Sequence, residues 1–576
     1  MRALSAGVLA IVLASASVSA ICSALPLITS VRHPAQPAEQ LPPPQQLQPK
    51  TAQPPQPAPR DPRAAASGTG SIRGTVAAGD TGEPLRRARL ALSAPELQKP
   101  RVAMTDGQGR YEFRDLPAAR FVLSASKTGY ATMQFGQRRA FEPGRLVELA
   151  EKQLLEGVDL ALPRGAVITG RVIDELGEPV VAACVAAMRL RFQAGARQPV
   201  AVGRAVETDD LGEYRLFDLA AGSYYVGVSS ALFGETLTFG PAFYPGTSSA
   251  AEAQTVAVKP GQIRSGIDVF LSPARLVQLA GVVIDARGSP LRDATVRAIS
   301  VPSTGSYSGV VRPDGTFTIA GLPQGEYLLS ASGQSTETAQ SEHGMLSVSA
   351  IGGDVTGLVV TATPGSRVSG RIMFERSARP PLATANIILV AESVDGRVSA
   401  GARVGTLRGD WTFELTGQFG ARLIRVAGLP GQWTLQAVLV GNRDITDTPL
   451  EITGGADIDG LRVVLTSRLT NVSGTVTDKD DKQVKDYSIV IFAEDATRWT
   501  GRSRFVATAR PDLSGRFEIA GLPPAAYLIA ALNYIEEGTW EDPEFLEWLR
   551  ARATKLALVE DEKRSVELTL VRIEAA

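Results

Sequence analysis

Hydrophobic and polar residues alternate in short stretches along most of this chain. Phe317 and Ile319 fall on one side of such a stretch, while Thr316 and Thr318 fall on the other. A period of two residues is the pattern of a half-buried β-strand. Loops rich in Asp and Gly precede these stretches and supply the residues that tight turns need. The pattern therefore predicts many short strands joined by turns, which is typical of β-sandwiches.

The alternating stretches belong to one unit that is repeated five times. Its opening phrase is a short strand with a central glycine, and the five glycines lie 89 to 111 residues apart: Gly74, Gly170, Gly281, Gly370 and Gly474. A glycine inside a strand indicates a bulge or a close approach of backbone. A closing phrase follows each opening and is clearest at Asp314–Tyr327. In the fourth copy Gly428-Leu429-Pro430 comes late, which we interpret as a local insertion.

These phrases divide the chain into predicted domains. We expect five β-sandwiches in a row, each long enough for its own core, at 70–163, 164–274, 275–364, 365–467 and 468–576. We name them repeats 1 to 5. Within repeat 5 a short helix is predicted near 543–552, with Asp542 as N-cap, Pro543 at the first position and an apolar stripe that would cover the end of the sandwich.

The N-terminal segment predicts export. Arg2 precedes an uncharged, apolar stretch, and Val18-Ser19-Ala20 fits a cleavage site, so residues 1–24 are predicted to be a signal peptide or an N-terminal anchor. Three outcomes stay open: cleavage, retention as an anchor, and lipidation of Cys22. Residues 25–69 form a predicted disordered linker, since 11 of the 29 residues from Pro34 to Pro62 are proline. In each case the repeats lie outside the cytoplasm.

The closing phrase Asp-x-x-Gly-x-Tyr/Phe, followed by Gly-Leu-Pro, resembles the sequence motif of the carboxypeptidase regulatory-like domain. The resemblance extends over all five repeats, from about residue 70 to the C-terminus. It implies an all-β fold of tandem prealbumin-like sandwiches, as in exported bacterial proteins of this type. The resemblance indicates little about function, because the family serves as an accessory module in peptidases, outer-membrane receptors and surface proteins.

The amino-acid composition limits the kinds of partner and active site that the chain can have. The net charge of −1 argues against a nucleic-acid partner. Two histidines, His33 and His343, are too few for a usual catalytic zinc site, and two cysteines cannot build a disulfide framework. We expect His33 in the linker and His343 in a solvated loop, Cys184 as a small core residue, and Asp478–Asp481 as a hairpin turn rather than a calcium loop. We therefore predict no enzyme activity, no catalytic, cofactor-binding or metal-binding residues, and no cofactor.

Two kinds of function remain. The first is a non-catalytic extracytoplasmic protein for binding, adhesion or scaffolding, with a glycan or an envelope protein as partner. The second is an accessory subunit of a separate envelope enzyme or outer-membrane receptor, or a structural spacer. A membrane is expected only through an N-terminal anchor. The aromatic residues to inspect as a glycan platform are Tyr224, Tyr225, Phe243, Tyr244, Trp433, Trp499 and Trp540.

The lysines bear on a possible covalent crosslink. Surface adhesins with a similar sandwich fold often carry a Lys–Asn bond inside each domain. None of the ten lysines lies between Lys259 and Lys479, so repeats 3 and 4 cannot form that bond. We predict that repeats 1, 2 and 5 also lack it, because their opening strands hold Arg, Thr or Val where the lysine is expected.

Overall fold

The computed structural model describes residues 68–573, except 95–96, 98, 194–195, 230–231, 234–235, 238, 273–275, 302–305, 336–340, 376–386, 395–404, 430–432, 453–454, 502 and 513. The predicted signal peptide and linker, with Cys22 and His33, lie outside these residues. The regular secondary structure of the described chain is almost wholly β-strand, as the alternation predicts.

The strands fall into five groups along the chain. Repeat 1 contains β1 Gly70–Ala78, β2 Arg89–Ser93, β3 Arg101–Met104, β4 Arg110–Leu116, β5 Ala119–Lys127, β6 Tyr130–Gln134, β7 Val147–Leu149, β8 Leu154–Leu155 and β9 Leu160–Leu162. Repeat 2 contains β10 Ala166–Ile173, β11 Cys184–Gln193, β12 Ala196–Ala201, β13 Val206–Glu207, β14 Glu213–Leu219, β15 Gly222–Val228, β16 Leu232–Phe233, β17 Thr236–Leu237, β18 Ala242–Phe243, β19 Val256–Val258, β20 Ile263–Arg264 and β21 Val269–Phe270.

The later repeats follow the same plan. Repeat 3 contains β22 Leu276–Ile284, β23 Arg292–Val301, β24 Ser306–Val311, β25 Thr316–Pro323, β26 Gly325–Gln334, β27 Ser341–Ala350, β28 Val355–Thr361 and β29 Thr363–Pro364. Repeat 4 contains β30 Ser366–Phe374, β31 Ile388–Ser393, β32 Thr406–Leu407, β33 Thr412–Gln418, β34 Gly420–Ala427, β35 Thr434–Val440, β36 Arg443–Asp444, β37 Leu450–Ile452 and β38 Ile458–Thr466.

Repeat 5 adds helical elements to its strands. It contains β39 Asn471–Thr477, β40 Gln483–Val484, β41 Ser488–Ala493, β42 Val506–Ala509, β43 Arg516–Ala520, β44 Ala525–Leu532, β45 Thr554–Leu558 and β46 Lys563–Val571, with 3-10 turns Ala496–Arg498 and Thr539–Glu541 and one helix, α1, Pro543–Arg550.

Each repeat is organised around its first strand. That strand pairs antiparallel with the strand of the closing phrase and parallel with the last strands of the repeat; in repeat 5, β39 pairs with β43 and β46 in this way. The same arrangement occurs in repeats 1 to 4. Buried side chains form five main clusters, within 72–162, 166–271, 277–362, 368–465 and 472–568. The exact domain bounds remain a prediction.

The central glycines are explained by a close backbone approach. A Cβ added to Gly281 would lie 2.0 Å from the carbonyl oxygen of Leu358, and one added to Gly474 would lie 1.9 Å from that of Val566. The other three central glycines face a carbonyl oxygen of the last strand region at 2.0–2.1 Å. Because no side chain fits there, all five positions require glycine.

Two local expectations need correction. In repeat 4, Gln418-Phe419-Gly420 joins β33 to β34, and Gly428 and Leu429 follow β34, so they are not a delayed end of β33; Pro430 lies outside the described residues. Helix α1 begins at Pro543, and the Asp542 side chain caps it by accepting from the Glu544 N–H, as predicted. However, Leu546 and Leu549 pack on the outer face of the β41–β44 sheet rather than over the end of the sandwich.

The repeats do not stand in an open row. Repeat 5 packs back onto repeats 1 and 2, so residues more than 340 positions apart in the chain form ion pairs. Among the residues that the structure describes, no helix is both long enough and apolar enough to cross a membrane.

Candidate functional site

The aromatic residues proposed for a glycan platform belong to the packed interior. Tyr224 and Trp499 are buried, and the Trp499 indole N–H donates to the Ala493 carbonyl at 2.8 Å. The others are partly buried and pack against hydrophobic clusters: Tyr225, Phe243, Tyr244, Trp433 and Trp540. In the described chain these seven side chains therefore do not form an exposed row.

His343 lies on a strand and not in a solvated loop, so that expectation is wrong. It belongs to β27, is half-buried, and its ring stacks on Phe419 of repeat 4 with ring centroids 4.6 Å apart. The polar residues around His343 are typical of a loop, but the ring that it stacks on belongs to another repeat. Cys184 is buried beside Ala186, Met188 and Ala205, as expected of a core residue.

Residues Asp478–Asp481 form a hairpin turn. One Asp478 carboxylate oxygen accepts the N–H groups of Asp480 and Lys482, and Val476 pairs with Val484 across the turn. The closing phrases use their aspartates in the same way, as Asp106 does with Gln108 and Arg110. These backbone donors hold the pKa of Asp106 below its usual value. Within the described residues there is no group of three or more potential metal ligands.

The most elaborate arrangement of charged side chains lies where repeats 1, 2 and 5 meet. We call this contact the junction. Its centre is the loop 136–145 of repeat 1, which joins β6 to β7. The Glu537 N–H of repeat 5 donates to the Phe141 carbonyl at 2.8 Å, and the Tyr534 hydroxyl donates to the Ala140 carbonyl at 2.9 Å. The loop is therefore bonded to repeat 5 through its backbone.

A network of ion pairs flanks this loop. Arg510 of repeat 5 has only 6% of its side chain exposed, and its guanidinium lies 2.7 Å from Asp486 and 3.8 Å from Glu142. Arg145 and Arg138 of repeat 1 reach the same Asp486 at 3.3 and 3.1 Å. Salt screens buried charge pairs less than surface pairs. The pairs of Arg138 and Arg145 with Asp486 and of Glu142 with Arg510 link repeat 1 to repeat 5, whereas the Arg510–Asp486 pair lies within repeat 5.

Repeat 2 contributes a second cluster to the junction. The Arg189 guanidinium lies 2.5 Å from Glu536 of repeat 5 and 4.1 Å from the centroid of the Phe141 ring. That ring also packs edge-on against Tyr224, a core residue of repeat 2, at 6.0 Å. Phe141 has a φ of +66°, in the left-handed region that large residues seldom adopt. Contacts from two other repeats hold it there.

The helix end of repeat 5 completes the contact. Arg197 of repeat 2 lies 2.7 Å from Asp542 and 2.8 Å from Glu544. Asp542 is also the N-cap of α1, so the residue that starts the helix is the one that Arg197 binds. Helix position and repeat docking are thereby coupled.

Burial shifts the pKa of two groups in the junction. Burial lowers the pKa of Arg145, and the neighbouring Arg510 lowers it further. Burial raises the pKa of the Tyr534 hydroxyl well above its usual value, with Glu536 adding to the effect. Both shifts follow from a contact that excludes water from side chains that would be solvated in a separate repeat.

The junction was not predicted from the sequence. Its residues lie in loops and on strands of three repeats, and no motif or spacing connects them. One local signal was available, because Phe141 is an apolar residue in a loop that otherwise holds Arg138, Arg139, Glu142 and Arg145. An apolar side chain in such a charged loop indicates a contact with another surface.

Comparison with known proteins gives the domain family. The carboxypeptidase regulatory-like domain matches residues 71–149 and 278–363, which lie in repeats 1 and 3. No curated protein matches the chain. An ancillary pilin of Streptococcus matches in structure at 14% identity, covering 51% of this chain and 98% of the pilin, with a TM-score of 0.19.

A second structural match is BcpA, the major pilin subunit of Bacillus cereus, at 10% identity, 71% of this chain and 99% of that chain, with a TM-score of 0.15. We draw no conclusion from either structural likeness at these scores. The fold, the repeated phrase and the two matched segments together give the assignment. The chain is a tandem β-sandwich protein in which two segments match the carboxypeptidase regulatory-like domain.

Proposed function

We propose that this protein is a non-catalytic, extracytoplasmic scaffold that presents its repeats to an envelope partner. The observation that carries the proposal is the junction. It gathers Asp486 and the buried side chains of Arg510 and Glu142 into a contact that holds two ends of the array together. A network of this kind fixes the position of domains, which is what a scaffold needs.

The recurring residues of the repeat support the same proposal, because they serve the fold. The central glycines admit the last strand, and the Tyr111 and Tyr214 hydroxyls donate to carbonyl oxygens of the chain that leads into that strand, at 2.5 Å each. The phrase aspartates cap their own turns. A motif whose polar atoms are occupied in this way offers little to a substrate, which favours binding or architecture over catalysis.

Localisation follows from the predicted signal segment, and carbohydrate binding is the finer part of the proposal. Trp548 on α1 is the tryptophan to test, since 39% of it is exposed. One ring face is partly covered by Arg552, whose guanidinium lies 4.1 Å from the ring centroid. The Phe545 ring also stacks against Trp548, with ring centroids 5.7 Å apart. A sugar would therefore have to use the ring surface that these two side chains leave exposed.

The test combines binding with activity. The purified full-length chain is incubated with an envelope fraction and with a glycan array, beside the variants Trp548→Ala and Trp433→Ala. We expect retention on the envelope fraction by all three proteins, and loss of any glycan signal only with Trp548→Ala. Hydrolysis of peptide or ester substrates that disappears in His343→Ala would contradict the proposal, as would cytoplasmic location of the expressed chain.

A further inference from the structure

The junction joins two surfaces of unlike charge. Repeats 1 and 2 contribute four arginines to it: Arg138, Arg145, Arg189 and Arg197. Repeat 5 contributes the carboxylates that receive them: Asp486, Glu536, Asp542 and Glu544. Among the ion pairs of described residues in the junction, only the Glu142–Arg510 pair runs the other way. The basic face therefore matches the acidic face of repeat 5 and does not match a copy of itself.

The chain between these two faces includes one weak connection. Repeats 4 and 5 are tied by Arg504, which binds Asp447 through two nitrogens at 2.9 and 2.6 Å. Repeats 1 and 2 are tied by Arg164 to Asp80 at 3.0 Å, and the Gly129 N–H donates to Asp218 at 2.7 Å. Between repeats 2 and 3, by contrast, no hydrogen bond or ion pair joins two described residues, and the main contact between described strands is that of β17 with β25.

We propose that the basic face of repeats 1 and 2 also accepts repeat 5 of a second copy of this chain. If the chain opens at the connection between repeats 2 and 3, both faces are released without loss of any contact inside the two halves. Each face then meets the same partner surface on another copy and forms the same ion pairs. Two copies that exchange repeat 5 in this way bury two identical junctions and leave no face unpaired.

Chain connectivity decides which form prevails. A tethered partner acts at an effective concentration on the order of millimolar, so the closed monomer dominates in dilute solution. Weakening the junction within one chain on the order of 10²-fold, as reversal of a close interfacial charge does, makes exchange compete at about 10 μM. Copies crowded on a surface reach the same condition without substitution.

The test uses two charge-reversed copies of the full chain, one carrying Arg189→Glu and the other Glu536→Arg. Each copy alone places like charges across its junction, within the chain and between identical chains. In an equal mixture, exchange pairs the two reversed residues at one junction and the two native residues at the other. We expect each copy alone to be monomeric and the mixture to double in mass by light scattering above about 10 μM.

A double variant with both reversals in one chain is the matched control, and we expect it to be a closed monomer. Circular dichroism confirms that each copy is folded. The pair Arg197→Glu and Glu544→Arg repeats the experiment on more exposed side chains, 52% and 79% accessible, where folding is least at risk. A mixture that stays monomeric with both pairs of variants up to millimolar concentration overturns the proposal.

Discussion

The junction and the connection between repeats 2 and 3 differ in a way that chain order would not suggest. Repeats 2 and 3 are neighbours in sequence, yet their described residues share no hydrogen bond or ion pair. Repeats 1 and 5 are farthest apart in sequence, yet Arg510 and Asp486 of repeat 5 form an ion-pair network with the loop 136–145, in which the Arg510 and Glu142 side chains are buried. Covalent linkage already keeps neighbours together, so their contact can be slight, whereas the distant repeats rely on side chains alone.

Of the changes considered, we expect Arg510→Met to weaken the junction most. The substitution leaves the buried Glu142 without its cation, while Asp486 keeps Arg138 and Arg145 as partners. Removal of one partner from a buried ion pair costs about 3–5 kcal/mol. We expect the junction to open and the radius of gyration from small-angle scattering to rise. The matched control is Arg516→Met, an exposed arginine of the same repeat that bonds to Ser473. An unchanged scattering curve for Arg510→Met would show that the junction does not hold the array closed.

Cutting the chain between repeats 2 and 3 tests the other side of the comparison. Cleavage at a protease site inserted between Leu271 and Leu276 breaks the covalent link between repeats 1 and 2 and repeats 3 to 5. We expect the nicked protein to run as one particle in gel filtration, because the junction still joins the halves. The same cut in Arg510→Met should release two fragments. Separation of the nicked wild-type chain would mean that the covalent connection is essential after all.

Alkaline pH should weaken the junction before it affects the weak connection. The pKa of Tyr534 is raised, so the folded state favours the neutral phenol. Stabilisation from a raised pKa is complete below the free value of 10.0 and is lost as the pH rises through the folded value. We expect opening by small-angle scattering above pH 10. In Tyr534→Phe this component of the opening should vanish, while ionisation of the core tyrosines continues.

The smallest expected effect concerns a covalent Lys–Asn crosslink in repeat 5. In repeat 5, Asn471 lies opposite Lys563 in the parallel register and donates to Glu518 at 2.5 Å, so the residue types for a Lys–Asn bond do meet. Lys563 and Glu518 lie on the exposed face, however, and the bond requires a dry site. We expect an intact mass that matches the sequence. A deficit of about 17 Da, the mass of released ammonia, abolished by Asn471→Ala would contradict this.

Features that depend on neighbours in the sequence could be predicted, and features between repeats could not. The alternation of apolar and polar residues predicted the strands, and Gly281 and its equivalents predicted the close approach of backbone. Both signals lie within a few consecutive residues. The N-cap Asp542 likewise predicted α1. His343 and Phe141 were missed for the opposite reason: the rings and carboxylates that surround them come from other repeats. Periodicity in a sequence carries no information about contacts between residues that are 340 positions apart.

The parallel pairing of first and last strands has a mechanical consequence. In repeat 5, β39 and β46 run in the same direction through seven paired positions, from Asn471 opposite Lys563 to Thr477 opposite Thr569. The chain thus enters the repeat at one pole and leaves it at the other. A pull on the two ends loads this ladder of hydrogen bonds along the strands, so they must break together rather than one after another. Each sandwich built this way transmits tension in shear, which suits a chain held at one end and loaded at the other.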